Sequence, residues 1–166
     1  MCGIVAAVAQ RDVAPLLIVD LPALESRGYD SSGVAVIDRG EIRRARAKGK
    51  VREMEALYLA DPLPGGTGIA HTRWATHGVP SEANAHPHMA GRISIVHNGI
   101  IENYAGLRAE LQAEGHVFTS ETDTEVMAEL IDRRYMAGVS LREAVLATVR
   151  ELEDAYAIAV RSSDEP

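Results

Sequence analysis

The order of hydrophobic patterns along the chain predicts an α+β fold built in layers. Three observations carry this. A β-prone apolar run opens the chain at residues 2–9. Helical periodicity dominates the middle, over 104–114, 122–134 and 141–151. A last β-prone segment, 156–160, comes just before the chain stops. At 166 residues this is the size of one domain, able to bury roughly 70% of its unfolded surface.

The elements follow in order. Asp12 is a plausible N-cap for a helix through Glu25, with Val13, Leu16, Leu17, Leu21 and Leu24 on one face. Pro15 is tolerable in its first turn, whereas Pro22 should kink or shorten it. Residues 26–33 are a loop by composition. Segments 34–37 and 42–45 form a hairpin around Asp38-Arg39-Gly40. A short amphipathic helix over 51–59 is ended by Asp61-Pro62. Strands at 68–72 and 92–97 lead into Arg73 and into Asn98-Gly99, with a long polar loop, 79–91, between them. Gly115 closes the helix that starts at Tyr104, and 117–119 reads as a brief strand. Ser140 and Glu143 form a capping box before the last helix. A strand so near the C-terminus predicts a fragment whose sheet continues in a longer parent chain.

Bulk properties narrow the function. A net charge of −7 argues against nucleic acid and anionic membrane surfaces as partners. No apolar run approaches the ~20 residues of a membrane span. The first residues lack the basic leader of a secretory signal. One cysteine excludes an intrachain disulfide framework and fits a reducing compartment, so the expected location is the cytoplasm.

That cysteine is Cys2. If Met1 is removed, Cys2 carries a free α-amine, a base matched to a thiol at neutral pH. Cys2 is then a nucleophile held at the start of a strand; the alternative is a small hydrophobe or an idle terminus. Asn98 and Gly99 offer a side-chain amide donor and a closely approachable N–H, the chemistry of an oxyanion hole, or else a plain Asn-Gly hairpin turn. The octet from His71 to Gly78 is dense in donors, and Arg73 suits bidentate binding of a carboxylate. Trp74, the only tryptophan, is either part of that loop's function or an interior packing residue. The acids Glu121, Asp123 and Glu125 stand at a helix start where capping is the ordinary role of most of them; the alternative for Asp123 is to point inward and pair with a substrate ammonium. Arg27 lies in a Gly- and Ser-rich loop, with a structural salt bridge as its alternative role. His86-Pro87-His88 invites a metal, but no zinc-type spacing is present, and 84–88 reads as a polar loop.

Taken together, Cys2-Gly3-Ile4-Val5, Arg27-Gly28-Tyr29-Asp30-Ser31, the octet from His71, His97-Asn98-Gly99-Ile100-Ile101-Glu102-Asn103, and Glu121-Thr122-Asp123-Thr124-Glu125 resemble one family. These are the glutaminase domains of the isomerising glutamine–fructose-6-phosphate aminotransferases, class II amidotransferases with an N-terminal nucleophile (Ntn). The resemblance covers essentially the whole chain. It implies an Ntn-type αββα sandwich of two antiparallel sheets flanked by helices, incomplete at its C-terminal end and without the sugar-isomerase domain. It also implies hydrolysis of L-glutamine to glutamate and ammonia through a Cys2 thioester, with no cofactor and no metal. Cys2, Asn98, Gly99 and Arg27 would carry catalysis, and Arg73, Trp74, Thr76, His77 and Asp123 would bind substrate. In the parent, a homodimer, the ammonia would convert fructose 6-phosphate to glucosamine 6-phosphate. The alternative is a non-catalytic glutamine-binding or docking fragment. Ala6 and Ser26 depart from the family's usual Gly and Tyr, so packing beside the nucleophile is expected to differ.

Overall fold

Apolar side chains in this chain point two ways from each sheet, and the layers follow from that. The computed structural model describes residues 2–153 and 155–165. Met1, on whose removal the nucleophile reading depends, lies outside them.

Strands β1 (Gly3–Val8), β2 (Ser31–Asp38), β3 (Glu41–Lys48) and β4 (Thr67–Arg73) form an antiparallel sheet in the order β1-β4-β2-β3. Strands β5 (His88–Ala90), β6 (Ile93–Asn98) and β7 (Ala157–Ser162) form a second, in the order β5-β6-β7. Helices α1 (Ala14–Asp20) and α2 (Val51–Ala60) bury Leu17, Ile18, Val51 and Met54 against Val34, Val36 and Ala70 of the first sheet. Helices α3 (Tyr104–Ala113), α4 (Asp123–Met136) and α5 (Leu141–Val149) bury Leu111, Val126, Met127, Leu130 and Ala144 against Ile93 and Ile95 of the second. A thin third core, Ala35, Ile69 and Val96 with Ile4, Ile42 and Ala159, lies between the sheets. The architecture is helix, sheet, sheet, helix.

Several sequence expectations are corrected. Asp12 does not cap the first helix: its Oδ1 accepts from Gly65 N–H at 2.9 Å, and the helix starts after Val13 without a side-chain cap. Pro22 acts as expected, with α1 stopping at Asp20 and a 3-10 helix, Leu21–Arg27, taking over. The 26–33 loop is shorter than predicted because Ser31 to Gly33 pair with both β3 and β4. The hairpin turn is the two-residue kind, with positive φ at Arg39 and Gly40. Residues 117–119 are not a strand. Val117 is 81% exposed, Phe118 lies under the Arg108 guanidinium, and Thr119 donates to Glu125. The polar loop 79–91 contains β5, whose three residues are too few to show a period in sequence.

Alternation then decides what faces the gap between the sheets. Ile4, Ile69 and Val96 face it, so by a period of two do Cys2, His71, Arg73 and Asn98. Gly3 pairs with Thr72, and one residue further brings Cys2 beside Arg73. The reactive residues thus gather at one open end of the sandwich. Among the described residues, no helix is long and apolar enough to cross a membrane.

Candidate active site

Cys2 is held by backbone. Trp74 N–H donates to its Sγ at 3.1 Å, and the thiol reaches Trp74 O at 3.6 Å. Burial pushes the Cys2 thiol up, and the Trp74 N–H opposes this by favouring the thiolate. Such a thiol keeps its proton at neutral pH until a base takes it. Gly3 and Gly28 let the surrounding chain close in. A Cβ at Gly3 would lie 2.5 Å from Leu24 Cβ, and one at Gly28 2.7 Å from the Arg73 carbonyl carbon.

Asn98 ends β6, and the hairpin alternative fails, because Gly99 leads into a loop and then α3. Asn98 Nδ2 donates to Cys2 O at 3.0 Å, while its Oδ1 lies 2.8 Å from His71 Nε2. Gly99 has φ +144°, and a Cβ there would come within 2.7 Å of Tyr156 Cβ and 3.0 Å of Ala155 O. Only glycine fits without strain.

Arg73 is buried, and its Nη2 donates to the carbonyls of His77 and Gly78, so the guanidinium folds the 74–78 loop back on itself. Its Nη1 lies 3.7 Å from Asp30 Oδ1, and Asp30 Oδ2 accepts from Ala75 N–H. Asp123 follows the N-cap Thr122 of α4. One of its oxygens accepts from Ile101 N–H at 2.9 Å. His77 Nδ1 and His97 Nδ1 stand 3.8 and 3.9 Å from its carboxylate. The three acids have three roles. Glu125 accepts from the N–H and hydroxyl groups of Thr119 and Ser120, and Glu121 ties Asn84 to the start of α4.

Four imidazoles cluster at this site, His86 and His97 lining the cavity and His71 and His88 outside its lining. His71, His86, His88 and His97 are all buried, with the His71 and His86 rings stacked at 4.2 Å. Burial drives His71 down to about 4, and pushes His86 and His88 well below the ordinary imidazole value. Burial lowers His97 too, against the attraction of Asp123. Among the described residues, buried Arg73 Nη1, His77 Nδ1 and His97 Nε2 have no hydrogen-bond partner. All three residues line the cavity that Cys2 and Asp123 share. No group of three or more His, Cys, Asp or Glu side chains among the described residues is placed to hold a metal ion.

Cys2, Arg73, Trp74, Thr76, His77, Gly99 and Asp123 therefore line one cavity. Arg27 and Asn98 instead line an adjoining recess, with Ile100, that also reaches Cys2. Arg27 is exposed there, and its salt-bridge alternative finds no support among the described residues. Ala6 and Ser26 are exposed, so those departures lie away from the packed interior beside Cys2. Sequence reasoning assigned no role to Asp30, His86 or Thr124, although each touches or lines the site. Asp30 and Thr124 stand inside motifs that carried the resemblance, and His86 in the His86-Pro87-His88 run, but nothing in those motifs gave any of them this place.

Residues 71–166 match the family model described as a glutamine amidotransferase domain. The chain belongs to the glutamine amidotransferase domain family. It is 59% identical over 161 residues, 96% of its length, to the glutamine–fructose-6-phosphate aminotransferase (isomerizing) of Shewanella oneidensis. Identity is 56% to that of Vibrio cholerae and 55% to that of Escherichia coli K12, over the whole chain. The domain spans about a quarter of these relatives, 26–27% of their length. In fold it is similar to the glutamine phosphoribosylpyrophosphate amidotransferase of B. subtilis, with a TM-score of 0.83 at 23% identity, covering 98% of this chain and 35% of that one. A structure of the allosteric regulatory enzyme of purine biosynthesis gives a TM-score of 0.84 at 24% identity, covering 98% of this chain and 36% of that one. The fold the resemblance implied, two antiparallel sheets flanked by helices, is thus shared with these enzymes.

Proposed function

We propose that this amidotransferase domain hydrolyses L-glutamine through a thioester on Cys2. The observation that carries the reading is a set of buried polar atoms without a hydrogen bond, Arg73 Nη1, His77 Nδ1 and His97 Nε2, whose residues line the cavity shared by Cys2 and Asp123. Buried polar groups left without partners mark a missing polar ligand. A free amino acid offers a carboxylate to the Arg73 guanidinium and an ammonium to the Asp123 carboxylate.

With Met1 removed, the α-amine of Cys2 takes the thiol proton, and Sγ attacks the side-chain carbonyl carbon of glutamine. Asn98 Nδ2–H and Gly99 N–H stabilise the oxyanion that forms, a donor pair worth roughly 3–4 kcal/mol each in comparable sites. Collapse expels ammonia, which takes its proton from the α-ammonium. Water then attacks the thioester, the amine accepts its proton, and the thiolate leaves glutamate behind. Arg27 and Trp74 border the adjoining recess, where they would organise the closed state and gate departing ammonia.

In the longer relatives' context the ammonia would be delivered to a sugar-isomerase domain acting on fructose 6-phosphate, in a cytoplasmic homodimer. Ammonia release from glutamine tests the reading directly. Cys2→Ala is expected to abolish it, and a glutamine-analogue electrophile to label Cys2 alone. Intact mass reports the state of residue 1, where loss of ~131 Da marks the free amine this activation requires. Glutamine binding without turnover in a Met1-free chain would favour the binding-fragment reading instead.

A further inference from the structure

His71 is fully buried between the sheets, two residues before Arg73 on the same face of β4, and it is not among the residues lining the cavity that Cys2 and Asp123 share. Its Nε2 lies 2.8 Å from Asn98 Oδ1 and 3.1 Å from His97 O. Both partners are acceptors, so Nε2 carries the hydrogen and donates to them. Nδ1 is then a bare lone pair, and it has no partner among the described residues. An apolar side chain would fill this place without that penalty. The imidazole therefore has a task beyond packing, and of its two ring nitrogens only Nε2 has a hydrogen-bond partner among the described residues.

The task concerns which way Asn98 faces. A carboxamide is nearly symmetric in shape, and a half-turn exchanges its donor and acceptor ends. In the observed orientation Oδ1 accepts from His71, and Nδ2 points to Cys2 O with a second hydrogen to spare. After a half-turn, Nδ2–H would meet Nε2–H, and Oδ1 would meet the Cys2 carbonyl oxygen. An acceptor would then stand where a developing oxyanion needs a donor. We propose that His71, through its Nε2–H, is the positioning residue that holds the Asn98 carboxamide in its donor orientation beside Cys2. The proposal rests on the reading of Asn98 as an oxyanion donor. The His86 ring stacked on His71 keeps the imidazole plane fixed.

Two substitutions separate positioning from bulk. His71→Leu removes the donor and fills much of the space. His71→Gln returns an N–H near the Nε2 position. In His71→Leu, kcat for glutamine hydrolysis is expected to fall about 10- to 100-fold with KM nearly unchanged, as for a misplaced catalytic group. His71→Gln should recover most of it. The γ-aldehyde analogue of glutamine, which forms a tetrahedral adduct with the thiol, should lose affinity in parallel with kcat/KM, while L-glutamate keeps its own. An unchanged kcat in His71→Leu, or a loss that His71→Gln does not restore while KM rises in step, would overturn the proposal. A second readout needs no activity: hydrogen exchange of the Asn98 side-chain NH2 by NMR should be slow in the wild type, fast in His71→Leu and slow again in His71→Gln. If that pattern holds in a chain that does not hydrolyse glutamine, the proposed function fails and the positioning stands. If His71→Leu does not fold, the 15N shifts of the wild-type imidazole decide, and an Nδ1–H tautomer overturns it.

Discussion

The backbone N–H of Trp74 lies 3.1 Å from Sγ of Cys2, joining residues 72 apart in sequence. Because the donor is main chain, the contact depends on where β4 ends and not on the indole, which is 48% exposed and meets Tyr29 edge-on. Burial raises the thiol. Iodoacetamide labelling of Cys2 should therefore climb with pH to a midpoint above the ordinary thiol value of ~8.5. Trp74→Ala should leave that midpoint within a few tenths of a unit. A midpoint below 8, or a large shift in Trp74→Ala, would contradict this picture.

Arg73 closes the 74–78 loop through two carbonyls, so its loss acts on shape as well as charge. Hydrogen bonds to a charged group are worth ~1.5–3 kcal/mol each. Arg73→Ala is expected to raise KM for glutamine by about two orders of magnitude, and to expose the loop to proteolysis within 74–78. Arg73→Lys keeps the charge and loses the fork, and should recover a minor part of the affinity with little protection of the loop. Steady-state kinetics and a timed digest check both.

Alternation and motif chemistry made most of this site legible. Cys2, Arg73, Asn98 and Asp123 were readable as candidates, and they do meet at one end of the sandwich. What sequence alone misjudged were contacts between distant loops. Asp12 looked like a helix cap, yet it serves the Gly65 amide 53 residues on. His86 sits in a polar loop by composition, yet Gly33 lets that loop dock, since a Cβ there would lie 2.2 Å from His86 O. Residues 117–119 carry β-prone side chains, but Thr119 commits its N–H to Glu125 and leaves no ladder to join. Local pattern reports which face a side chain takes, not which remote group will satisfy it.

Gly99→Ala tests the second oxyanion donor by strain. At φ +144° a Cβ would crowd Tyr156 Cβ, Ala155 O and His97 Nε2 within 2.7–3.0 Å. Two of these neighbours are fixed near the backbone, so relief requires moving the 98–100 segment. The expected cost is about 2–3 kcal/mol in unfolding free energy, together with loss of nearly all glutamine hydrolysis. Urea unfolding and ammonia release measure the two separately. Wild-type activity in Gly99→Ala would remove the Gly99 N–H from the mechanism.

The buried histidines predict how stability depends on pH. Unfolded, an imidazole titrates near ~6.5; folded, His71 is held down to about 4, with His86 and His88 lowered in the same direction by burial. Below that unfolded value the unfolded chain therefore binds protons that the folded chain refuses, so stability falls as the solution is acidified. The contribution is fully present above ~6.5 and is lost as pH drops toward the folded values. His71 alone, held from 6.5 down to about 4, accounts for about 3 kcal/mol across that window. Near pH 5 the His71 ring alone supplies a slope of about 1 kcal/mol per pH unit, and His86 and His88, lowered in the same direction, steepen it. Urea unfolding at pH 7, 6 and 5 measures it. A flat profile between 7 and 5 would mean that these rings take up protons while still folded, and that the cluster behind Asn98 is not the dry, neutral stack that the packing describes.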